Sequence, residues 1–212
     1  MDFIDFVLSQ LPAPPARVLE VGCGKEGGVT PALAAAGYDV LGIDPSAPKG
    51  PLFRRMALKQ LGPDRYDAVV AGRVLHHVED LDVALDKLAA AAPLLLLDEF
   101  AWERMDEPTI DWYEGQYRML ELSGAEPPGP PEIAAWRREH ADLHPSDVVR
   151  GAVDKRYDQR HFEWRPYLHR WLGGPATLAL EQMLVDSDLI RALGFRYAGT
   201  RTDTTRSSAA SR

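Results

Sequence analysis

The sequence predicts an α/β protein built on a doubly wound parallel sheet, and three observations carry the prediction. Compact aliphatic and β-branched runs recur at 17–21, 39–43, 67–71 and 94–98, each the length of a strand. Helical stretches separate them, at 30–36 and 82–92. The first run ends at Gly22 in a glycine-rich turn that opens a helix, which is the strand-turn-helix order of a parallel unit. Apolar runs that alternate with helices imply strands covered on both faces by those helices.

Ahead of the sheet, Phe3, Phe6, Val7 and Leu11 recur at helical spacing until Pro12 to Pro15 stop the pattern, a lead-in helix. Arg17 to Val21 is the first strand, Thr30 to Ala36 an Ala-rich helix stopped by Gly37, and Asp39 to Ile43 the second strand. Asp67 to Ala71 and Leu94 to Asp98 are further strands, with the helix Asp82 to Ala92 between them. After Phe100 this rhythm stops. All five tryptophans (Trp102, Trp112, Trp136, Trp164 and Trp171) lie beyond it, together with the Pro127 to Pro131 cluster. Trp102 to about Arg150 therefore reads as helices and loops inserted after the fourth apolar run and split by that linker. Asp188 to Leu193 reads as a helix end stopped by Gly194, Phe195 to Thr200 as a final strand, and 203–212 as a disordered tail.

Composition narrows the function classes. The 212 residues allow one domain with an elaboration. Hydrophobic residues at 45% with charged residues at 26% exclude a disordered chain. Lys and Arg number 24 against 32 Asp and Glu, a net charge of -8, so no global basic field is available for a polyanion and nucleic acid is not an expected partner. Cys23 is the single cysteine, so neither an internal disulfide nor a cysteine-rich zinc site is expected, and a reducing, cytoplasmic setting fits. The longest apolar run, Leu88 to Leu97, is broken by Pro93 and falls far short of the ~20 residues of a membrane span.

The chemistry is concentrated in Val18-Leu19-Glu20-Val21-Gly22-Cys23-Gly24-Lys25-Glu26-Gly27. The glycine spacing alone says only that backbone passes close to a ligand at the carboxyl end of the first strand. Asp44 ends the second strand, 20 residues after Gly24, where a carboxylate can accept both hydroxyls of a ribose. A nucleoside-bearing ligand follows. Glu20 separates the candidates: beside the pyrophosphate of a dinucleotide its charge repels, whereas S-adenosylmethionine brings an ammonium and a sulfonium to this turn and is attracted. The alternative, a strand-end Glu20 pointing to solvent, sits poorly between Leu19 and Val21.

Val-Leu-Glu-Val-Gly-Cys-Gly at 18–24, Gly-Ile-Asp-Pro-Ser at 42–46 and Tyr-Asp-Ala-Val-Val-Ala-Gly-Arg-Val-Leu-His-His-Val at 66–78 resemble the class I S-adenosylmethionine-dependent methyltransferases, specifically the small-molecule, methyltransferase type 11-like kind. The resemblance covers about residues 16–100 and returns at Leu193-Gly194-Phe195. It implies a Rossmann-like sheet in the class I methyltransferase order, with the helical, Trp-rich segment as a cap after the family's fifth strand. It also implies S-adenosylmethionine as cofactor and S-adenosylhomocysteine as product. Gly22, Cys23 and Gly24 would line the methionine end, Glu20 would face the amino group directly or through water, Asp44 and Pro45 would meet the ribose, and Gly72 and Arg73 would lie beside the donor methyl. The acid that the family usually offers to the adenine amino group is missing from Arg54-Arg55-Met56-Ala57-Leu58, which leaves Met56 and Ala57 to pack on the ring. The expected division is a lead-in helix at 1–15, a cofactor-binding core at 16–100, a cap and acceptor region at 101–175, a completing helix and strand at 176–202, and the tail.

A base matters for some acceptors only: a hydroxyl or carboxylic acid must lose its proton, and an amine must already be unprotonated. Candidates are His76 and His77, Asp98 and Glu99, and Tyr157, His161 and Glu163. His161 and His77 are the expected catalytic pair, His161 lying among alternating aromatic and ionisable residues, against the alternatives of a packed surface strand for His161 and a structural role for His76-His77. The tryptophans either pack a cap or line an apolar acceptor pocket, and Arg165 and Arg170 offer a seat for a carboxylate. His140 and His144 share a helical spacing, but Pro145 ends that helix, so a solvated turn is expected there and no metal site. The expected activity is methyl transfer to oxygen or nitrogen of a small molecule. The competing readings are a cofactor-binding module without turnover that acts through partners, and an NAD-dependent oxidoreductase opposed by Glu20. A homodimer is compatible with the sequence but not called for by it.

Overall fold

In β1 (Arg17–Val21) the side chains of Val18 on one side and of Leu19 and Val21 on the other are all buried, so the strand needs cover on both faces. The computed structural model describes residues 2–202. β2 (Asp39–Ile43) lies parallel to β1, and the two-residue β3 (Phe53–Arg54) lies parallel beyond it. On the other side of β1 come β4 (Ala68–Gly72) and β5 (Leu94–Phe100), both parallel. β6 (Tyr157–Arg165) and β7 (Gly194–Arg201) are antiparallel, and the seven strands run in the order β3-β2-β1-β4-β5-β7-β6.

Two helical layers provide the cover. α1 (Phe3–Gln10) and α2 (Thr30–Ala35) bring Phe6, Val7 and Leu33 onto Val18, Val70 and Leu96. On the opposite face α3 (Leu81–Ala91) packs Leu85 and Leu88 against Leu19, Val69, Leu95 and Leu97. Burying each such leucine contributes about 1.5–3 kcal/mol, enough that this alternation sets the register. Asp2 and Asp80 start α1 and α3 by accepting the N–H of Asp5 and of Val83, at 2.8 and 2.9 Å.

After β5 come α4 (Glu107–Leu122), α5 (Ile133–Glu139) and α6 (Ser146–Asp154). α6 joins α3 on the sheet through Val149 and Val153. α4 and α5 instead build a third core at the sheet's end, where Tyr113, Trp136, Tyr167 and Leu172 surround Phe100, with Trp102, Trp112 and Trp171 packed against them. Trp164 lies apart, on Phe162 and Phe195 of the sheet. The stretch expected to be a single cap over 101–175 is thus divided, because 157–165 returns to the sheet as its edge strand β6.

A second difference concerns the chain before β7. The last helix is α7 (Pro175–Asp186), and 188–193 is not helical. Asp188 takes φ 54°, which ends the helical path, and Gly194 is the first residue of β7 rather than a helix stop. A Cβ on Gly194 would meet the Arg165 carbonyl at 3.2 Å, so its bareness serves strand pairing. The expected tail at 203–212 lies outside the described residues. No helix among the described residues is long and apolar enough to cross a membrane.

Candidate functional site

At the carboxyl end of β1 the chain turns on Gly22, whose φ of 79° is open to glycine and costly to other residues. Its N–H and that of Cys23 donate to the Ile43 carbonyl at 2.8 and 3.3 Å, which ties the turn to the end of β2. A Cβ on Gly22 would stand 2.0 Å from Cγ2 of Val74, so the turn and the loop after β4 touch here with no room between them. Cys23 is buried beside the turn, and burial pushes its thiol up to about 11, with Glu20 and Asp44 acting in the same direction.

Glu20 does not reach for solvent. Its carboxylate accepts the N–H of Val29 at 2.9 Å, the N–H of Thr30 at 2.7 Å and the Thr30 hydroxyl at 2.6 Å. It therefore occupies the N-terminus of α2. Burial raises its pKa, opposed by those three hydrogen bonds. The amino-group contact expected of Glu20 competes with these internal partners, and neither expectation for it included this latch. Gly28 makes the latch fit, since a Cβ there would lie 2.0 Å from Oε1 of Glu20.

Two cavities meet at this turn. One, of about 320 Å³, is lined by Gly22, Asp44, Pro45, Met56, Ala57 and His77 among others. One oxygen of Asp44 accepts the N–H of Ser46 at 2.6 Å, which fixes the carboxylate and leaves its second oxygen to the cavity. The other cavity, of about 450 Å³, is lined by Phe3, Glu20, Cys23, Gly24, Gly72 and Asp98 among others. Gly22 and Arg73 border both. Arg73 has φ 60°, strain in a residue other than glycine, and its N–H donates to the Asp98 carbonyl at 2.7 Å.

A family model for a methyltransferase domain matches residues 1–142. The chain belongs to the methyltransferase-domain family. A curated relative, the ubiquinone biosynthesis O-methyltransferase of Xylella fastidiosa (strain 9a5c), is 32% identical over 176 residues, 68% of each chain. Among solved structures, an S-adenosylmethionine-dependent methyltransferase from Mesorhizobium loti superposes with a TM-score of 0.58 at 16% identity, covering 93% of this chain and 96% of that one. The magnesium protoporphyrin IX methyltransferase of Synechocystis PCC 6803 with bound SAH gives 0.53 at 19% identity over 94% of this chain and 80% of that one. At those identities the likeness is one of fold.

Of the residues singled out in this methyltransferase, Glu20, Gly22, Cys23, Gly24, Gly72 and Arg73 meet in the larger cavity. Asp44, Pro45, Met56 and Ala57 meet in the smaller one, and His77 joins them there, away from Gly72. His77 is thus displaced from the place expected of a base, because the short helical turn Leu75–His77 carries it back over Val74. His76 points inward to Glu99.

His161 lines neither of these two cavities. A register shift at Gln159/His161 turns it to the α1 face of β6, where its ring packs 5.3 Å from that of Phe6. The five tryptophans are likewise absent from the cavity walls, so their clustering reports packing. The turn expected between His140 and His144 is there, with Ala141 and Asp142 exposed, but both rings are half-buried: His140 packs 4.1 Å from Trp136, and His144 donates from Nε2 to the Val78 carbonyl at 2.8 Å.

With His161 and the tryptophans in packing, the lead-in helix is the remaining candidate for acceptor choice: its Phe3 closes on Gly72, where a Cβ would approach the ring to 3.2 Å. His169, which no local motif marks, lines a third cavity with Arg165 and Arg170. The only sequence signal for His169 is Glu181 twelve residues later, a separation without a local meaning until α7 folds back.

Proposed function

We propose that this chain transfers a methyl group from S-adenosylmethionine to oxygen or nitrogen of a small-molecule acceptor. The observation that carries the reading is the filled N-terminus of α2. A dinucleotide lays its pyrophosphate on such N–H groups, and here the Glu20 carboxylate already accepts them. An anion would meet negative charge, whereas an ammonium and a sulfonium are attracted to it.

The residues fit the ligand by shape as well as charge. The bare Gly22 and Gly24 leave backbone as the floor of the cleft, and Asp44 keeps a carboxylate oxygen for ribose hydroxyls. Met56, Ala57 and Leu58 form an apolar wall suited to a flat base. S-adenosylmethionine supplies a methyl carbon activated by its positive sulfur. The protein's part is to hold the acceptor in line with that carbon and to exclude water, which Phe3 does from α1. The Xylella relative's name, an O-methyltransferase, supports an oxygen acceptor.

Isothermal titration with S-adenosylmethionine, S-adenosylhomocysteine and NAD tests the reading. Micromolar binding of the first two and none of the third is expected. A folded protein that binds neither adenosyl compound overturns it.

A further inference from the structure

The third cavity, of about 240 Å³, shares Phe3, Asp98 and Arg170 with the cavity that contains Gly72. It is the space next to the donor end of the cleft. His169 lines it. Behind His169 stands Glu181, which is fully buried on α7. One Glu181 oxygen accepts the N–H of Tyr167 at 2.7 Å and of Leu168 at 2.9 Å. The other accepts the N–H of His169 at 2.7 Å and meets its ring Nδ1 at 3.1 Å.

Three backbone donors already satisfy that carboxylate, so the turn at 167–169 is held without the imidazole. The ring contact adds something else. An ionised carboxylate only accepts, so Nδ1 carries the proton and Nε2 keeps its lone pair. Among the described residues Nε2 has no hydrogen-bond partner. A carboxylate that fixes the tautomer of an imidazole, with the second nitrogen open to a cavity, is the arrangement of an oriented general base.

We infer that His169, oriented by Glu181, is the base that takes the proton from a hydroxyl acceptor seated between Phe3, Asp98 and Arg170. The inference rests on the methyl-donor reading given above. Arg170 and Arg196 pair there with Asp98, and Arg165 and Arg196 with Glu163, so guanidinium groups stand where negative charge grows on the oxygen of a hydroxyl acceptor. In the step, the hydroxyl proton passes to Nε2. The oxygen lone pair forms the bond to the methyl carbon as the carbon–sulfur bond breaks, its electron pair staying on sulfur. The imidazolium then releases the proton to water, and the products are a methyl ether, S-adenosylhomocysteine and one proton.

The test uses the full chain with [methyl-14C]S-adenosylmethionine and four probes: catechol, 3,4-dihydroxybenzoate, 4-hydroxycinnamate and, as the amine, benzylamine. Label is expected on at least one hydroxyl probe. In His169→Asn, whose amide can take the place of Nδ1 on Glu181, kcat should fall about 100-fold or more. Its KM for the probe and its affinity for S-adenosylmethionine should stay within about threefold of wild type. Glu181→Gln, a change in the positioning residue, should lower kcat about tenfold and redistribute the His169 tautomers in 15N-histidine spectra, where the wild type shows Nδ1 protonated. His169→Gln is the second variant should the first melt below assay temperature.

A kcat within threefold of wild type in the histidine variants overturns the inference. So does label on benzylamine alone, a wild-type His169 protonated at Nε2, or a protein that binds S-adenosylmethionine yet labels no hydroxyl probe. A wild type that binds no S-adenosylmethionine overturns the donor reading, and this inference with it.

Discussion

Oε2 of Glu99 lies 2.5 Å from Nδ1 of His76, and both side chains are buried. The other Glu99 oxygen accepts the N–H of Val74 at 2.9 Å and of Leu75 at 2.7 Å. One carboxylate on β5 thus holds the loop after β4, and that loop delivers Arg73 and His77 to the cleft. His144, just before α6, grips the same loop from the far side, through its N–H on the His76 carbonyl at 3.0 Å and its ring on the Val78 carbonyl. That link to the loop is therefore made by hydrogen bonds to backbone carbonyls.

Glu99→Ala should destabilise the protein by about 3–5 kcal/mol, since it strands two backbone N–H groups and a buried imidazole at about 1–3 kcal/mol each before relaxation. At about 2–4 °C per kcal/mol for a chain of this size, the melting temperature should fall by roughly 6–20 °C. S-adenosylmethionine should bind about tenfold more weakly to whatever remains folded. A melting temperature within 2 °C of wild type would show the loop to be held by other means.

Gly22→Ala and Gly24→Ala separate two effects that the motif merges. Both positions have positive φ, 79° and 62°, so both variants carry backbone strain of about 1–2 kcal/mol. Only at Gly22 does the new methyl collide with Val74, while around Gly24 nothing lies within 4 Å. Titration should find S-adenosylmethionine binding lost in the first and weakened no more than about tenfold in the second. Equal losses would assign the whole effect to strain.

The parallel strands β1, β2, β4 and β5 were legible because they are apolar on both faces, a pattern that only flanking helices can satisfy, and Gly22 and Asp44 were legible because a turn and a strand end mark them locally. The acceptor side was not. His161 and the five tryptophans stood out by composition, yet a register shift at Gln159, a third core around Phe100 for four of the tryptophans, and Phe162 and Phe195 for Trp164 direct them into packing. His169 and Glu181 gain their meaning only when α7 returns beneath the turn at 167–169, a tertiary contact with no periodic trace in the chain.

His77 should contribute to acid sensitivity. Its pKa lies below the ordinary 6.5, from burial first and then from the neighbouring His76, with Glu99 opposing. A histidine with a lowered folded pKa favours the folded state above about 6.5 and loses that contribution as pH falls through the folded value. The melting temperature of wild type should therefore fall between pH 7 and pH 5 more steeply than that of His77→Gln. Parallel curves for the two proteins would remove His77 from the account.

Asp44 and Glu20 are both carboxylates at strand ends, and their replacement should fail differently. The Asp44 carboxylate accepts one hydrogen bond within the protein, from the N–H of Ser46, in a turn open to solvent. Asp44→Ala should leave the melting temperature within a few degrees while weakening S-adenosylmethionine by about 1–3 kcal/mol, the range for losing charge-assisted hydrogen bonds. Glu20 has three, from Val29 and Thr30, and is 3% exposed. Glu20→Ala strands buried donors at the start of α2, so melting temperature and affinity should fall together. Thr30→Val removes one of those donors and leaves the carboxylate in place, so it should lower the melting temperature with a smaller effect on affinity. Should Glu20→Ala weaken binding while melting like wild type, the carboxylate acts on the ligand rather than on α2, and the argument that excludes a pyrophosphate loses its structural basis.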